Sequence, residues 1–250
     1  MFIILVFFAF GAVCASFTGV VAGRLHTGQS WARGRSRCDS CSLHLDARDL
    51  VPILSWVVWG GRCRQCRARI PAAYAFWELA LALSFAFAYV RIGFTPALPV
   101  FLAALVVLLF IVLYDLRHMV VPTGSSEVLL LLSLGVALLT TSDVHALGIT
   151  LIIAGIISAF FFIMHVASGG RAMGLGDAPV ALALSILVGS HAFPGLLFSF
   201  WVGALYGIIV LSTRRGGPRM GIEVPFVPFL AIGYLLAFFT AWNPLTYIPG

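Results

Sequence analysis

Eight apolar runs, near residues 1–22, 74–92, 96–115, 126–141, 146–167, 178–190, 193–212 and 225–242, leave this chain little choice but to fold in a membrane. A run of about 20 residues crosses the roughly 30 Å of bilayer hydrocarbon as a helix, because a helix satisfies its own backbone hydrogen bonds where no water can. Composition agrees: 61% of the 250 residues are hydrophobic and 10% are charged. The run at 178–190 is short for that distance at about 1.5 Å per residue, so it is expected to be extended, tilted or half-buried in protein. The expected fold is an all-α polytopic membrane protein of about eight transmembrane helices.

The first run has no charge ahead of it, and its first charged residue, Arg24, follows it. It therefore reads as a retained helix rather than a signal peptide. All fifteen basic residues are arginines. Arg24, Arg33, Arg35, Arg37, Arg48, Arg62, Arg64, Arg67 and Arg69 follow the first run, and Arg117, Arg171, Arg214, Arg215 and Arg219 fall in loops on the same side. Only Arg91 lies opposite. By the positive-inside rule the arginine-rich side is cytoplasmic and both termini lie outside. The net charge of +6 thus reads as topology, and no nucleic-acid partner is expected.

Three parts follow: a first transmembrane helix (1–22), a polar cytoplasmic insert (23–71) and a helical bundle (72–250). No internal repeat is visible. Within the insert, "DLVPILSWVVWGGRC" is apolar but too short to span, and is expected to lie on the membrane surface or the bundle. The insert also holds Cys38, Cys41, Cys63 and Cys66 as two Cys-x-x-Cys pairs separated by 21 residues. Each pair brings two thiolates to one face of a turn, and two pairs complete a tetrahedral sulfur shell for structural zinc. Nearby Arg37, Arg62, Arg64 and Arg67 would favour the thiolates. Two disulfides or free thiols are the alternatives, and a cytoplasmic location argues against stable disulfides. His44 could substitute as a ligand, while Cys14 reads as a small apolar residue of the first helix.

Most of the nine acidic residues have ordinary explanations: Asp39, Asp46 and Asp49 lie in the insert, Asp143 in an outside loop, Glu127 at a helix start. Glu78, Asp115, Asp177 and Glu223 instead collect near cytoplasmic ends of spans. Asp115 closes one span in "LYDLRHMVVP" and Asp177 opens another in "MGLGDAP", which puts both at one depth. Two carboxylates facing each other cannot both ionise cheaply, so the pair supplies a general base to activate water and a general acid for the carbonyl oxygen or leaving amine. Gly174 and Gly176 would let a substrate backbone approach, and Glu78 and Glu223 would either bind or orient it or cap or anchor their own helices. The competing reading makes Asp177 a helix N-cap ahead of Ala178 and Pro179, and pairs Asp115 with Arg117 or His118.

These motifs together resemble the bacterial prepilin peptidases, or type IV leader peptidases, membrane aspartyl proteases of the Gly-x-Gly-Asp type. The likeness runs over nearly the whole chain: "ASFTGVVAGRL" (15–25), "CDSC" to "CRQC", Glu78 in "FWELALAL", "YDLRHMVVP", "GLGDAP" and "VPFVPFLAIG" (224–233). The resemblance implies a multi-pass protein of the bacterial inner membrane with its active site facing the cytoplasm. Its substrates would be prepilin or pseudopilin precursors of type IV pili or type II secretion, met among membrane lipids. It would cut their basic leader after a Gly, then methylate the new N-terminus with S-adenosylmethionine. Asp115 and Asp177 match the family's catalytic aspartates, and the four cysteines match its zinc-binding element. The chain departs at Gly19, where Asn is common, at Thr123, where Asp is common, and at Pro179, where Lys is usual. None of these removes a catalytic carboxylate, whereas no methyl-donor fingerprint is recognisable. Two other classes compete. A small secondary transporter would place its carboxylates near the bilayer midplane, and an assembly factor that binds pilin-like helices without cutting them would tolerate Asp→Asn changes.

Overall fold

The computed structural model describes residues 1–25, 30, 36–38, 40–171, 173–213 and 224–242. Among them every regular element is helical: α1 (Phe2–Leu25), α2 (Leu54–Val58), α3 (Ala72–Ile92), α4 (Ala97–His118), α5 (Thr123–Thr140), α6 (Val144–Ser168), α7 (Asp177–Val188), α8 (Ala192–Thr213) and α9 (Val227–Thr240), with a 3₁₀ turn at Gly189–His191 between α7 and α8. Each of the eight apolar runs is a helix, and α2 lies in the short apolar stretch of the insert. Glu223 lies outside the described residues, as do Arg33, Arg35, Asp39, Arg214, Arg215 and Arg219.

By length and apolar character six stretches can cross a membrane, one of them the continuous Asp177–Thr213 that contains α7 and α8. The eight expected crossings therefore need a finer description. α7 has 12 residues, about 18 Å of helix, and ten of them are buried, from Asp177 to Val188. It packs against α5, α6 and α9. A helix apolar on every side suits such a surround of protein, which explains how so short a helix is accommodated. Gly189, at φ 60°, ends it. α9 is also short, with 14 residues between Phe226 and the left-handed cap Ala241. Its expected bounds of 225–242 included residues that do not continue the helix.

Two compact units divide the chain at Phe94 and Thr95. In the first, α1 and α3 pack along each other. The small buried residues Gly11, Ala12, Ala15 and Ala22 of α1 and Ala82, Ala86 and Ala88 of α3 permit close approach, the means by which helices associate where lipid supplies no hydrophobic drive. α3 thus groups with α1 and the insert rather than with the helices after it. In the second unit α4 packs on α5 and α9, and α8 on α9. Most buried hydroxyls close back on their own helix: Thr18 donates to the Cys14 carbonyl, Ser133 to Leu129 and Ser199 to Gly195, each at 2.7–2.8 Å. Ser185 of α7 and Tyr234 of α9 instead bond to each other at 2.9 Å. The outer faces stay apolar and open, as at Ile152, Ile156 and Ile163 of α6, which suits contact with lipid.

Candidate active site and metal centre

Asp115 sits in the last turn of α4, where the carbonyl end of the helix disfavours a negative charge. It is nonetheless buried, 5% exposed. The backbone N–H of Val227, at the first turn of α9, is directed at its carboxylate, so a helix N-terminus with its unsatisfied donors supplies the compensation that α4 lacks. Oδ2 of Asp115 has no hydrogen-bond partner among the described residues. A buried acceptor without a partner among the described residues calls for one from elsewhere.

Asp177 is equally buried, 6% exposed. The N-cap of α7 is Gly176, and no side chain caps that helix. Asp177 lies one residue inside and turns backwards, its Oδ2 accepting the Gly174 N–H at 3.1 Å. The N-cap reading of Asp177 is therefore not the arrangement found. The two carboxylates lie close enough for the charge of Asp115 to act on Asp177. What brings their segments together is Gly176: a Cβ built there would fall 2.6 Å from Cβ of Val121, in the loop that follows α4. Only a residue without a side chain lets the "YDLRHMVV" and "GLGD" segments meet so closely. Gly174, whose N–H meets the Asp177 carboxylate, is itself exposed.

Glu78 has a partner within its own unit: its Oε2 accepts the Ile53 N–H at 2.7 Å. Ile53 precedes α2 and holds φ at 62°, a conformation that β-branched residues rarely adopt. Glu78 thus anchors the apolar stretch of the insert to α3. Sequence reasoning missed Val227, whose contribution is a backbone N–H, and His165. The ring of His165 hydrogen-bonds the Met173 carbonyl at 2.9 Å. A lone histidine near the end of an apolar span is the signal that could have found it.

The insert carries two equivalent knuckles. Cys38 N–H donates to the Leu43 carbonyl and Cys63 N–H to Ala68. Ser42 and Arg67 donate back to the carbonyls of Cys38 and Cys63, and Leu45 and Ile70 close onto Ser36 and Gly61. Isolated bridges join Arg37 to His44 and Arg62 to Arg69, and Ser42 and Arg67 share a left-handed backbone. This is a structural repeat that the sequence shows only as paired cysteines. The four Sγ atoms lie within 4.8 Å of one another, and Cys38 and Cys66 are 3.8 Å apart. A tetrahedron of sulfurs about 2.3 Å from zinc has an edge of about 3.8 Å, so the donor set fits the metal. His44 is not part of it. Backbone N–H groups of Cys41 and Ser40 pull the Cys38 thiol down to about 7. At Cys66 the Ala68 N–H acts in the same direction, but desolvation and the neighbouring thiols prevail and push it up to about 11. Arg64 is committed elsewhere: it pairs with Asp46 at 2.8 Å and lies over Trp59.

Residues 9–92 match the Bacterial Peptidase A24 N-terminal domain and residues 102–211 match the Type IV leader peptidase family. A prepilin leader peptidase/N-methyltransferase of Bacillus subtilis (strain 168) is 28% identical over 237 residues, 93% of this chain and 92% of the relative. A type 4 prepilin-like proteins leader peptide-processing enzyme of Escherichia coli O78:H11 is 32% identical over 227 residues, 84% of this chain and 79% of the relative. A prepilin leader peptidase/N-methyltransferase of Myxococcus xanthus is 34% identical over 222 residues, which cover 85% of this chain but 64% of the relative. No solved structure matches.

Proposed function

The chain belongs to the type IV leader peptidase family, and on that premise we propose that it is a membrane aspartyl endopeptidase that removes the leader of type IV prepilin-like precursors. The observation that carries the reading is the pair Asp115 and Asp177. Both are buried, they come from segments far apart in sequence that meet where Gly176 lies against Val121, and the charge of Asp115 acts on Asp177. Neither is used as a side-chain cap of its own helix. Structural carboxylates are ordinarily tied up by such caps or by ion pairs.

In the proposed reaction one aspartate, ionised, takes a proton from water, and the oxygen attacks the scissile carbonyl. The other, protonated, donates to the carbonyl oxygen as the tetrahedral adduct forms. The adduct then collapses: the leaving amine takes up the proton from the first aspartate, an adduct hydroxyl returns its proton to the other as the carbonyl re-forms, and the C–N bond breaks. Oδ2 of Asp115, without a partner among the described residues, is the acceptor we assign to the water. Gly174 and Gly176 flank the Asp177 carboxylate, with Gly174 leaving room for a substrate backbone. Glu223 is retained as a candidate for substrate orientation, and Glu78 acts through the insert that it anchors. The arginine distribution supports a site that opens to the cytoplasm, with substrates held in the inner membrane among its lipids.

Cys38, Cys41, Cys63 and Cys66 would hold one zinc ion. Bound, it supplies folding free energy to the insert; four thiolates leave it no position for water or substrate. The names of two relatives support a second activity, N-methylation of the new amino terminus by S-adenosylmethionine. The described residues contain no glycine-rich loop between a strand and a helix, so no residue is assigned to the methyl donor. Incubation of the purified chain in detergent with a leader-bearing type IV prepilin, with and without S-adenosylmethionine, tests the reading. The expected product is a pilin shortened at the Gly that ends its leader, methylated only when the donor is present. An intact precursor after incubation with folded enzyme would reject it.

A further inference from the structure

α6 ends in two consecutive glycines with left-handed backbone, Gly169 at φ 62° and Gly170 at φ 78°. The Gly170 N–H closes onto the His165 carbonyl at 2.9 Å. This turn folds the chain back over the His165 ring, and a Cβ at Gly170 would come within 3.3 Å of the ring's Cε1. The ring's Nδ1 then meets the Met173 carbonyl at 2.9 Å. A carbonyl only accepts, so Nδ1 carries the proton whatever the charge of the ring.

The Met173 carbonyl and the Gly174 N–H are two ends of one peptide group. Its N–H is the donor to Asp177 Oδ2 at 3.1 Å, and no peptide bond here is cis. In a planar trans peptide the C=O and N–H point in opposite directions. One rigid plate therefore has His165 at one end and the Asp177 carboxylate at the other. Hydrogen bonds in such a chain also polarise one another. Ser158, two helical turns before His165 on the same face of α6, holds the far side of the carboxylate's segment by donating to the Ala178 carbonyl at 3.0 Å.

We propose that His165 is a positioning residue for Asp177: its Nδ1–H fixes the plane of the 173–174 peptide, and that peptide aims the carboxylate. The inference rests on the reading of Asp177 as a catalytic group. It assigns His165 no proton transfer and no contact with substrate.

The test compares His165→Asn, His165→Gln and His165→Leu in prepilin cleavage, each normalised to folded protein, with Asp177→Asn alongside. The Asn amide nitrogen can stand where Nδ1 stands, whereas the Gln nitrogen reaches further and Leu has no donor. The expected result is kcat close to the parent for Asn and lower by about tenfold to a hundredfold for Gln and Leu, the range of a displaced reacting group, with KM unchanged. Gly170→Ala, which crowds the ring, should lower kcat in the same way. Should the Leu variant not accumulate, the Asn and Gln pair makes the same comparison. Equal impairment of Asn and Gln, or full kcat in Gln or a folded Leu variant, would overturn the proposal. If Asp177→Asn itself still cleaves, the reading beneath it fails instead.

Discussion

Gly176→Ala is a one-carbon change with a calculable consequence. The new Cβ would lie 2.6 Å from Cβ and 2.9 Å from Cγ2 of Val121. Carbon atoms in contact settle at about 3.5–4.0 Å, so the two loops must separate by roughly 1 Å. Gly176 adjoins Asp177, and Val121 follows the end of α4 that bears Asp115, so the separation falls on the carboxylate pair. A displacement of about 1 Å at reacting groups costs on the order of a hundredfold in rate, or about 2.7 kcal/mol in the activation barrier. Steady-state cleavage of a prepilin by detergent-purified variants reads this directly. Val121→Gly removes all the atoms in conflict, so the double variant Gly176→Ala/Val121→Gly should regain most of the lost rate. Pairwise coupling of that kind is what a double-mutant cycle measures. If Gly176 served only to admit the substrate backbone, the second change would rescue nothing. Full activity of Gly176→Ala alone would refute the packing argument.

Elemental analysis of the purified chain should give about one zinc per molecule, falling sharply when Cys63 and Cys66 are changed to Ser, with faster proteolysis of the insert as its metal-coupled fold is lost. Glu78→Ala leaves the Ile53 N–H without its charged acceptor, a loss of about 1.5–3 kcal/mol. Limited proteolysis should show the insert opening more readily, and less so in Glu78→Gln. Ser185→Ala strands the buried Tyr234 hydroxyl and should destabilise the protein by about 1–3 kcal/mol, while Ser185→Ala combined with Tyr234→Phe should recover much of that in thermal unfolding followed by size-exclusion chromatography.

Hydropathy alone located α1 and α3 to α9, because in a membrane the length of an apolar run and the need to satisfy the backbone favour a helix. It could not tell which helices the protein itself surrounds. α7 and α8 are both strongly apolar, yet ten residues of the one are buried and the other is largely open. The two aspartates were legible as costly charges at one depth. Their environment was not, since Val227, Gly174 and Val121 act through backbone groups or bulk and leave no chemical signature in the sequence. The cysteines announced a four-thiol cluster by spacing, but the equivalence of the hairpins behind the two pairs is a pattern of backbone hydrogen bonds between dissimilar residues. Glu78 was legible as a carboxylate near a span end, but not its bond to the Ile53 backbone, because that partner is a main-chain group 25 residues away.

The central claim, that Asp115 and Asp177 form one catalytic pair, is tested most directly by Asp115→Asn and Asp177→Asn, scored for cleavage and for binding of an uncut prepilin by the same folded protein. Asp177→Ser joins them, because serine could still cap a helix but cannot exchange a proton as a carboxylate does. All three variants should bind the precursor and leave its leader in place. Substantial cleavage by any one of them, properly folded and inserted, would contradict the account.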